Sequence, residues 1–182
     1  MLRTITSLIL PGLGDSGPDH WQTHFERADT SCVRVMQDEW DSPDCAAWVA
    51  RLDEEMRNSV WPVRLVGHSS ACALVAHWAL NAAPEELAKV CGALLVAPSD
   101  PDGPNYPVTA INFGPVPMVA LPFASIVVTS DDDEYVTLDQ ARAYATAWGS
   151  RLVVLQHAGH INVASGFGEW PEGYALLQSL DA

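Results

Sequence analysis

The residues of this chain that can do chemistry fall into three groups, and their order matters as much as their types. The first is Gly67-His68-Ser69-Ser70-Ala71, followed by the apolar run Cys72-Ala73-Leu74-Val75-Ala76. A serine in a tight small-residue turn between strand and helix is set up as a nucleophile. The turn lifts its hydroxyl clear of the sheet, and small neighbours let strand and helix approach closely. The last position of the G-x-S-x-G pattern is Ala71 here, a departure of one methyl group. Ser70 is the adjacent rival, but it lacks a glycine two residues earlier. The second group is Ser130-Asp131-Asp132-Asp133-Glu134-Tyr135-Val136. A solvated turn before a helix N-terminus accounts for most of such a run, yet one of Asp131, Asp132 and Asp133 stands where an acid that orients a histidine belongs. The third is His157-Ala158-Gly159-His160-Ile161-Asn162, in which Gly159 permits a sharp turn that swings His160 back over the sheet edge. His157, closer to the preceding strand, is the weaker candidate. Serine, aspartate and histidine in that order supply a nucleophile, an orienting acid and a base, the set that acyl transfer through a covalent intermediate requires.

Each group must be held by the element before it. Apolar, β-branched runs at Thr4 to Leu10, Cys32 to Met36, Val63 to Val66, Ala93 to Ala97, Ile126 to Thr129 and Leu152 to Leu155 read as strands. Several are continuous rather than alternating, as strands covered on both faces are. Between them, Trp48, Val49, Leu52 and Met56 mark one face of a helix that Ser42-Pro43 would open. Gly17-Pro18 opens an earlier helix reaching about Arg27. Thr137-Leu138-Asp139-Gln140 is a capping box for a helix that Gly149 stops. Alternation of this kind predicts a three-layer α/β domain around an open, mostly parallel six-stranded sheet of order 2-1-3-4-5-6, with helices on both faces. In that order strands 1 and 3 are neighbours whose connections leave to opposite faces, where ligands bind. The Pro11-Gly12-Leu13-Gly14 turn would then lie beside Ser69, and the backbone N–H groups of Leu13 and Ser70 would form an oxyanion hole.

One segment breaks the rhythm. Pro98 to Pro122 carries seven prolines and no helical period. Long irregular loops are commonly functional, and this one is expected to wall the acyl pocket through Tyr106, Phe113 and Met118 among others. His68 and His77 read as structural, as do most of the tryptophans.

Composition bounds the partners. The net charge of -14 disfavours nucleic acid and anionic lipid, which call for clustered Lys and Arg. No apolar run approaches the ~18 residues of a membrane span. Met1 to Thr6 lacks the pattern of a signal peptide. Cys32, Cys45, Cys72 and Cys91 have no C-x-x-C spacing, so they read as small buried hydrophobes in a reducing compartment rather than zinc ligands. The expectation is one domain over residues 1–182, cytoplasmic, needing neither metal nor organic cofactor.

These residues together resemble the retinoblastoma-binding-protein-9-like, or YdeN-like, family of small serine hydrolases with the α/β-hydrolase fold. The resemblance rests on Leu10-Pro11-Gly12, Gly17-Pro18-Asp19-His20-Trp21, Gly67-His68-Ser69-Ser70, the Ser130 to Val136 turn, Gly159-His160-Ile161-Asn162 and Ser165-Gly166-Phe167-Gly168. It implies a compact fold without a large cap domain, and it assigns the acid to Asp133. The family's usual proline after that aspartate is Glu134 here, so Asp132 stays open as the alternative. Gly12, His20, Trp21, Phe113 and Met118 are the expected pocket residues. The implied activity is hydrolysis of small esters through Ser69, Asp133 and His160. An amidase or peptidase-like activity, or a catalytically idle protein-binding module, are the other readings. The chain has no L-x-C-x-E sequence, so binding of the retinoblastoma protein does not carry over.

Overall fold

The computed structural model describes residues 5–60 and 62–181. Along the chain come β1 (Thr6–Leu10), α1 (Trp21–Ala28), β2 (Cys32–Arg34), α2 (Cys45–Asn58), β3 (Val63–His68) and α3 (Ser70–Asn81). They are followed by α4 (Pro84–Leu87), β4 (Val90–Val96), β5 (Ser125–Ser130), α5 (Leu138–Trp148), β6 (Arg151–Leu155) and α6 (Pro171–Gln178). The strands form one sheet of order β2-β1-β3-β4-β5-β6, and every neighbouring pair runs parallel. This is the α/β-hydrolase arrangement that the sequence predicts. Thr4, expected in the first strand, lies outside the described residues.

Period-two alternation divides the strands between two cores. Leu8, Leu10, Leu65, Leu95 and Val127 join Trp48, Leu52, Leu74, Trp78, Tyr144 and Trp148 from α2, α3 and α5. Ile9, Val66, Leu94, Val96 and Val128 join Trp21 and Phe25 from α1, Leu177 from α6 and Trp170 just before it. Both faces of the central strands are therefore dry, which is why their sequences read as continuous apolar runs. Among the described residues no helix is long and apolar enough to cross a membrane.

Two helix starts differ from the sequence reading. The cap of α2 is Asp44, whose carboxylate accepts the Ala46 N–H at 2.9 Å. Ser42 and Pro43 do not open that helix, because the Pro43 carbonyl is engaged by the Ile111 N–H in an extended segment. Helix α1 begins at Trp21 with His20 as its cap, Gly17-Pro18 forming only the turn before it. Helix α5 starts and stops as expected: Thr137 accepts from the Gln140 N–H, and Gly149 ends it at φ 69°.

The segment from Pro98 to Pro122 contains no helix or strand, yet it is tied down. Ile111 bridges to Asp44, the Leu121 N–H donates to the Trp148 carbonyl, and the Trp148 indole donates to the Pro117 carbonyl. From α3, His77 reaches the Phe113 carbonyl at 2.8 Å. Proline removes backbone donors, so such a segment cannot ladder onto a sheet and is held by its neighbours instead.

Candidate active site

Strand β3 ends at His68, and the next residue takes φ 58° and ψ -125°. A positive φ is costly for a residue with a Cβ and persists where the surroundings enforce it. Here the Ser69 N–H donates to the Val96 carbonyl of β4, and the Ser69 carbonyl accepts from Cys72 in the first turn of α3. Close packing explains the small residues around it. A methyl at Gly67 would come within 3.2 Å of the Ala71 carbonyl oxygen, and one at Gly12 within 2.8 Å of Ser69 Cβ. Ala71 itself is fully buried, so its extra methyl is accommodated in the core.

The ends of β5 and β6 deliver the other two groups. His160 Nε2 lies 2.9 Å from Ser69 Oγ, and His160 Nδ1 lies 3.0 and 2.9 Å from the two oxygens of Asp133. Asp133 has no exposed side-chain surface; its Oδ1 also accepts the Tyr135 N–H. The three aspartates divide their work. Asp131 accepts the N–H of His157, Asp132 accepts the N–H of Gly159, and Asp133 faces the ring of His160. Hydrogen bonds from Ser130 Oγ and the Gly159 N–H hold the Asp132 carboxyl below the usual carboxylate range. What reads in sequence as one acidic turn is a set of clasps on the histidine loop. Asp131, Asp132 and His157 also lie close enough to share a cation, but both carboxylates are already engaged in that clasp.

His160 is fixed on every side. Its N–H donates to Ser165 Oγ, its carbonyl accepts from His68 Nε2 at 3.0 Å, and Tyr135 packs on its ring with centroids 4.6 Å apart. His68 and His20 pack beyond it, His20 edge-on to His68 with centroids 4.8 Å apart and His68 tilted against His160 at 5.0 Å. Burial pushes His20 down to about 4, with Arg34 and then His160 adding to the effect. Burial likewise holds His68 well below the usual imidazole range, ahead of its neighbour His160. Both rings are neutral scaffolding around the His160 ring.

The turn after β1 is braced as firmly. Arg34 bonds Asp15, Glu26 and the Ser16 carbonyl. Gln22, fully buried, donates to the carbonyls of Leu10, the last residue of β1, and Val66 in β3, the two strands that part at the switch point. Leu13, Ser69, Ser70, His20, His160 and Ser99 then share the wall of a cavity of about 200 Å³, with Asp15, His68, Pro107, Tyr135 and Asn162 completing it.

Several expected pocket residues stand elsewhere. Trp21 is fully buried behind His68, its indole donating to the Ile161 carbonyl. Phe113 lies in the core against Trp48. Met118 is 48% exposed and outside the cavity wall. Gly12 packs against Ser69 and is not among the residues of the cavity wall. The long loop reaches the site through Ser99 and Pro107 at the cavity and through Tyr106, whose hydroxyl donates to Ser70 Oγ. Sequence reasoning missed Ser99, whose Oγ lies 2.8 Å from Ser69 Oγ, and Gln22. Neither sits in a signature; only their places in a long loop and at a helix start hint at them.

The comparisons bear on the family and the fold. At 31% identity the chain is similar to a protein of Pectobacterium atrosepticum described as a YdeN-like hydrolase, with 97% of this chain and 90% of that one covered and a TM-score of 0.84. The ydeN gene product of B. subtilis superposes with a TM-score of 0.81 at 20% identity, over 97% of this chain and 98% of that one. The type II thioesterase BorB, from the borrelidin biosynthetic cluster, shares the fold at a TM-score of 0.65 and 18% identity, with 99% and 94% covered. No curated protein matches the chain. Residues 7–179 match the model of the serine hydrolase family. With the fold, the strand order and a match spanning almost its whole length in agreement, this chain belongs to the serine hydrolase family.

Proposed function

We propose that the chain hydrolyses small carboxylic esters through an acyl-enzyme on Ser69. The observation that carries this reading is the unbroken line of short contacts from Ser69 Oγ to His160 Nε2 and from His160 Nδ1 to Asp133. Asp133 holds the proton on Nδ1, so Nε2 presents a lone pair to the serine hydroxyl. In the first step the Ser69 proton passes to Nε2 while Oγ bonds the ester carbonyl carbon. The oxyanion is received by the N–H groups of Leu13 and Ser70, the latter in the first turn of α3, where helix N–H groups have no intrahelical partner. Collapse expels the alcohol, which takes the proton from Nε2. Water repeats the cycle on the acyl-enzyme and regenerates Ser69.

The small volume of the cavity, about 200 Å³, favours short acyl groups over long chains. An idle binding module is disfavoured because it would gain nothing from holding Ser69 at φ 58°. Free thiols at Cys32, Cys45, Cys72 and Cys91 suit a reducing, cytoplasmic setting. The test is covalent labelling by a fluorophosphonate probe, followed by a panel of esters of increasing acyl length. Native protein is expected to label and to prefer acetyl or propionyl esters, and Ser69→Ala to lose labelling while keeping its melting temperature. Labelling that survives in folded Ser69→Ala would falsify the assignment.

A further inference from the structure

A second hydroxyl stands at the nucleophile, and no step above uses it. Strand β4 ends at Val96, and Ala97, fully buried, takes φ 50°. This is a second positive-φ turn on the strand next to β3, held by an Ala97 N–H bond to the Val128 carbonyl at 2.7 Å. Two residues later Ser99, 4% exposed, places its Oγ 2.8 Å from Ser69 Oγ inside the cavity. Adjacent strands therefore each spend backbone strain to bring a hydroxyl to the same point.

The direction of this hydrogen bond follows from its neighbours. Asp133 keeps the Nδ1 proton, Nε2 accepts the Ser69 proton, and Ser69 Oγ is left with lone pairs toward Ser99. In the resting state Ser99 is the donor. We infer that Ser99 is a catalytic hydrogen-bond donor to the nucleophile oxygen, holding Ser69 Oγ on line with His160 and stabilising the negative charge that this oxygen carries as its bonds form and break. The inference rests on the ester-hydrolase reading of the site.

Its effect differs along the reaction. Once acylated, Ser69 Oγ is an ester oxygen and a poor acceptor, so the bond from Ser99 weakens. In deacylation water adds to the acyl carbon and gives a proton to Nε2. The C–Oγ bond then breaks, its electron pair returns to Oγ, and Nε2 returns the proton. Charge builds on Oγ during that break, where a donated hydrogen bond strengthens. The donor thus acts on transition states more than on the ground state, which predicts a change in kcat rather than in KM.

The experiment measures the fluorophosphonate labelling rate constant, together with kcat and KM for a short reactive ester, in native protein, Ser69→Ala, Ser99→Ala and Ser99→Thr. Ser99→Ala is expected to lower both the labelling rate constant and kcat on the order of 10- to 100-fold with KM little changed, as for loss of a hydrogen bond to a charged group. Ser99→Thr, which keeps the hydroxyl, is expected to recover most of the loss. A purely structural role would lower the melting temperature and leave the labelling rate of the folded protein unchanged, and that result overturns the inference. If Ser99→Ala does not fold, Ser99→Cys takes its place, and a native labelling rate there overturns it equally. Native protein that fails to label overturns the hydrolase reading and this inference together. Labelling lost in Ser69→Ala but unchanged in Ser99→Ala overturns the role of Ser99 alone.

Discussion

Two hollows in this molecule invite opposite first impressions. The larger, about 610 Å³, lies between α1 and α6 and is lined by Phe25, Trp170, Pro171 and Tyr174 with His24, Arg27, Ala28 and Glu169 around them. The smaller, about 200 Å³, has a wall divided evenly between polar and apolar surface and sits where β1, β3, β4, β5 and β6 end. Size and apolar lining are the usual marks of a ligand site, and here they point to the larger one. Ser69 and His160, with Ser99 beside them, are in the wall of the smaller. The difference lies in what builds each wall. The large hollow is left where α1 meets the start of α6, whereas the small one is bounded by turns whose backbone is held in costly conformations at Asp15, Ser69, Ala97 and Ile161. Strain of that kind clusters at functional sites.

If this contrast is right, substitutions should separate rate from stability. The largest effect belongs to the acid. Asp133→Asn is expected to lower kcat by about 10⁴-fold, the cost given for the Asp→Asn change in chymotrypsin-type triads, with the melting temperature little changed. Asp132→Asn, which loosens a clasp on the Gly159 N–H, should cost far less. Steady-state kinetics on the two folded variants decide it: collapse of Asp132→Asn with Asp133→Asn near native would reverse the roles.

At the other hollow the order inverts. Trp170 is buried against Trp21 and Phe167, so Trp170→Ala is expected to lower stability by about 3–5 kcal/mol. The folded fraction should keep its labelling rate within a few-fold. Denaturant unfolding together with labelling kinetics checks both halves, and a variant of native stability with no activity would make the large hollow part of the site.

The smallest effect sharpens the comparison through pH. His20 titrates at about 4 when folded against an ordinary 6.5, so between those values the unfolded chain holds a proton that the folded ring refuses. Stability is then full above about 6.5 and falls as pH drops toward 4, a loss on the order of 3 kcal/mol from this one residue. His68 contributes in the same direction. His20→Asn keeps a side-chain cap for the Gln22 N–H and removes the titration. Unfolding free energies at pH 7.5, 6 and 4.5 should therefore fall less steeply in the variant than in the native protein. Equal slopes would mean that the His20 ring is not kept neutral by its burial.

Much of the frame was legible from pattern alone, because strand periodicity, capping boxes and glycine turns are local. The six strands, the α5 cap at Thr137 and the stop at Gly149 follow from neighbours within a few residues. The pocket was not legible for the opposite reason. Phe113 reads as a free apolar side chain in a proline-rich loop, but the chain folds that loop down onto α2 and α3 and buries the ring against Trp48. The start of α2 was misread because Ser42-Pro43 has cap chemistry, while a partner far along the chain, Ile111, draws Pro43 into an extended segment and leaves the cap to Asp44.

Sequence by itself determined the groups that can react and their order. Ser69, an acid within Asp131 to Asp133, and His160 are each tied to a strand end by residues beside them, and the parallel sheet brings those ends to one edge. Among the three aspartates the residues alone left the choice open, and only the resemblance singled out Asp133. The tertiary structure turns that carboxylate, buried, onto the histidine ring, while Asp131 and Asp132 bond the backbone of His157 and Gly159. It also decided that Ser99 stands beside Ser69. That contact joins residues thirty apart through a positive φ at Ala97, a conformation that alanine gives no sign of adopting. Local chemistry is written in neighbouring residues; contact between distant groups is set by packing, and packing leaves no short pattern to read.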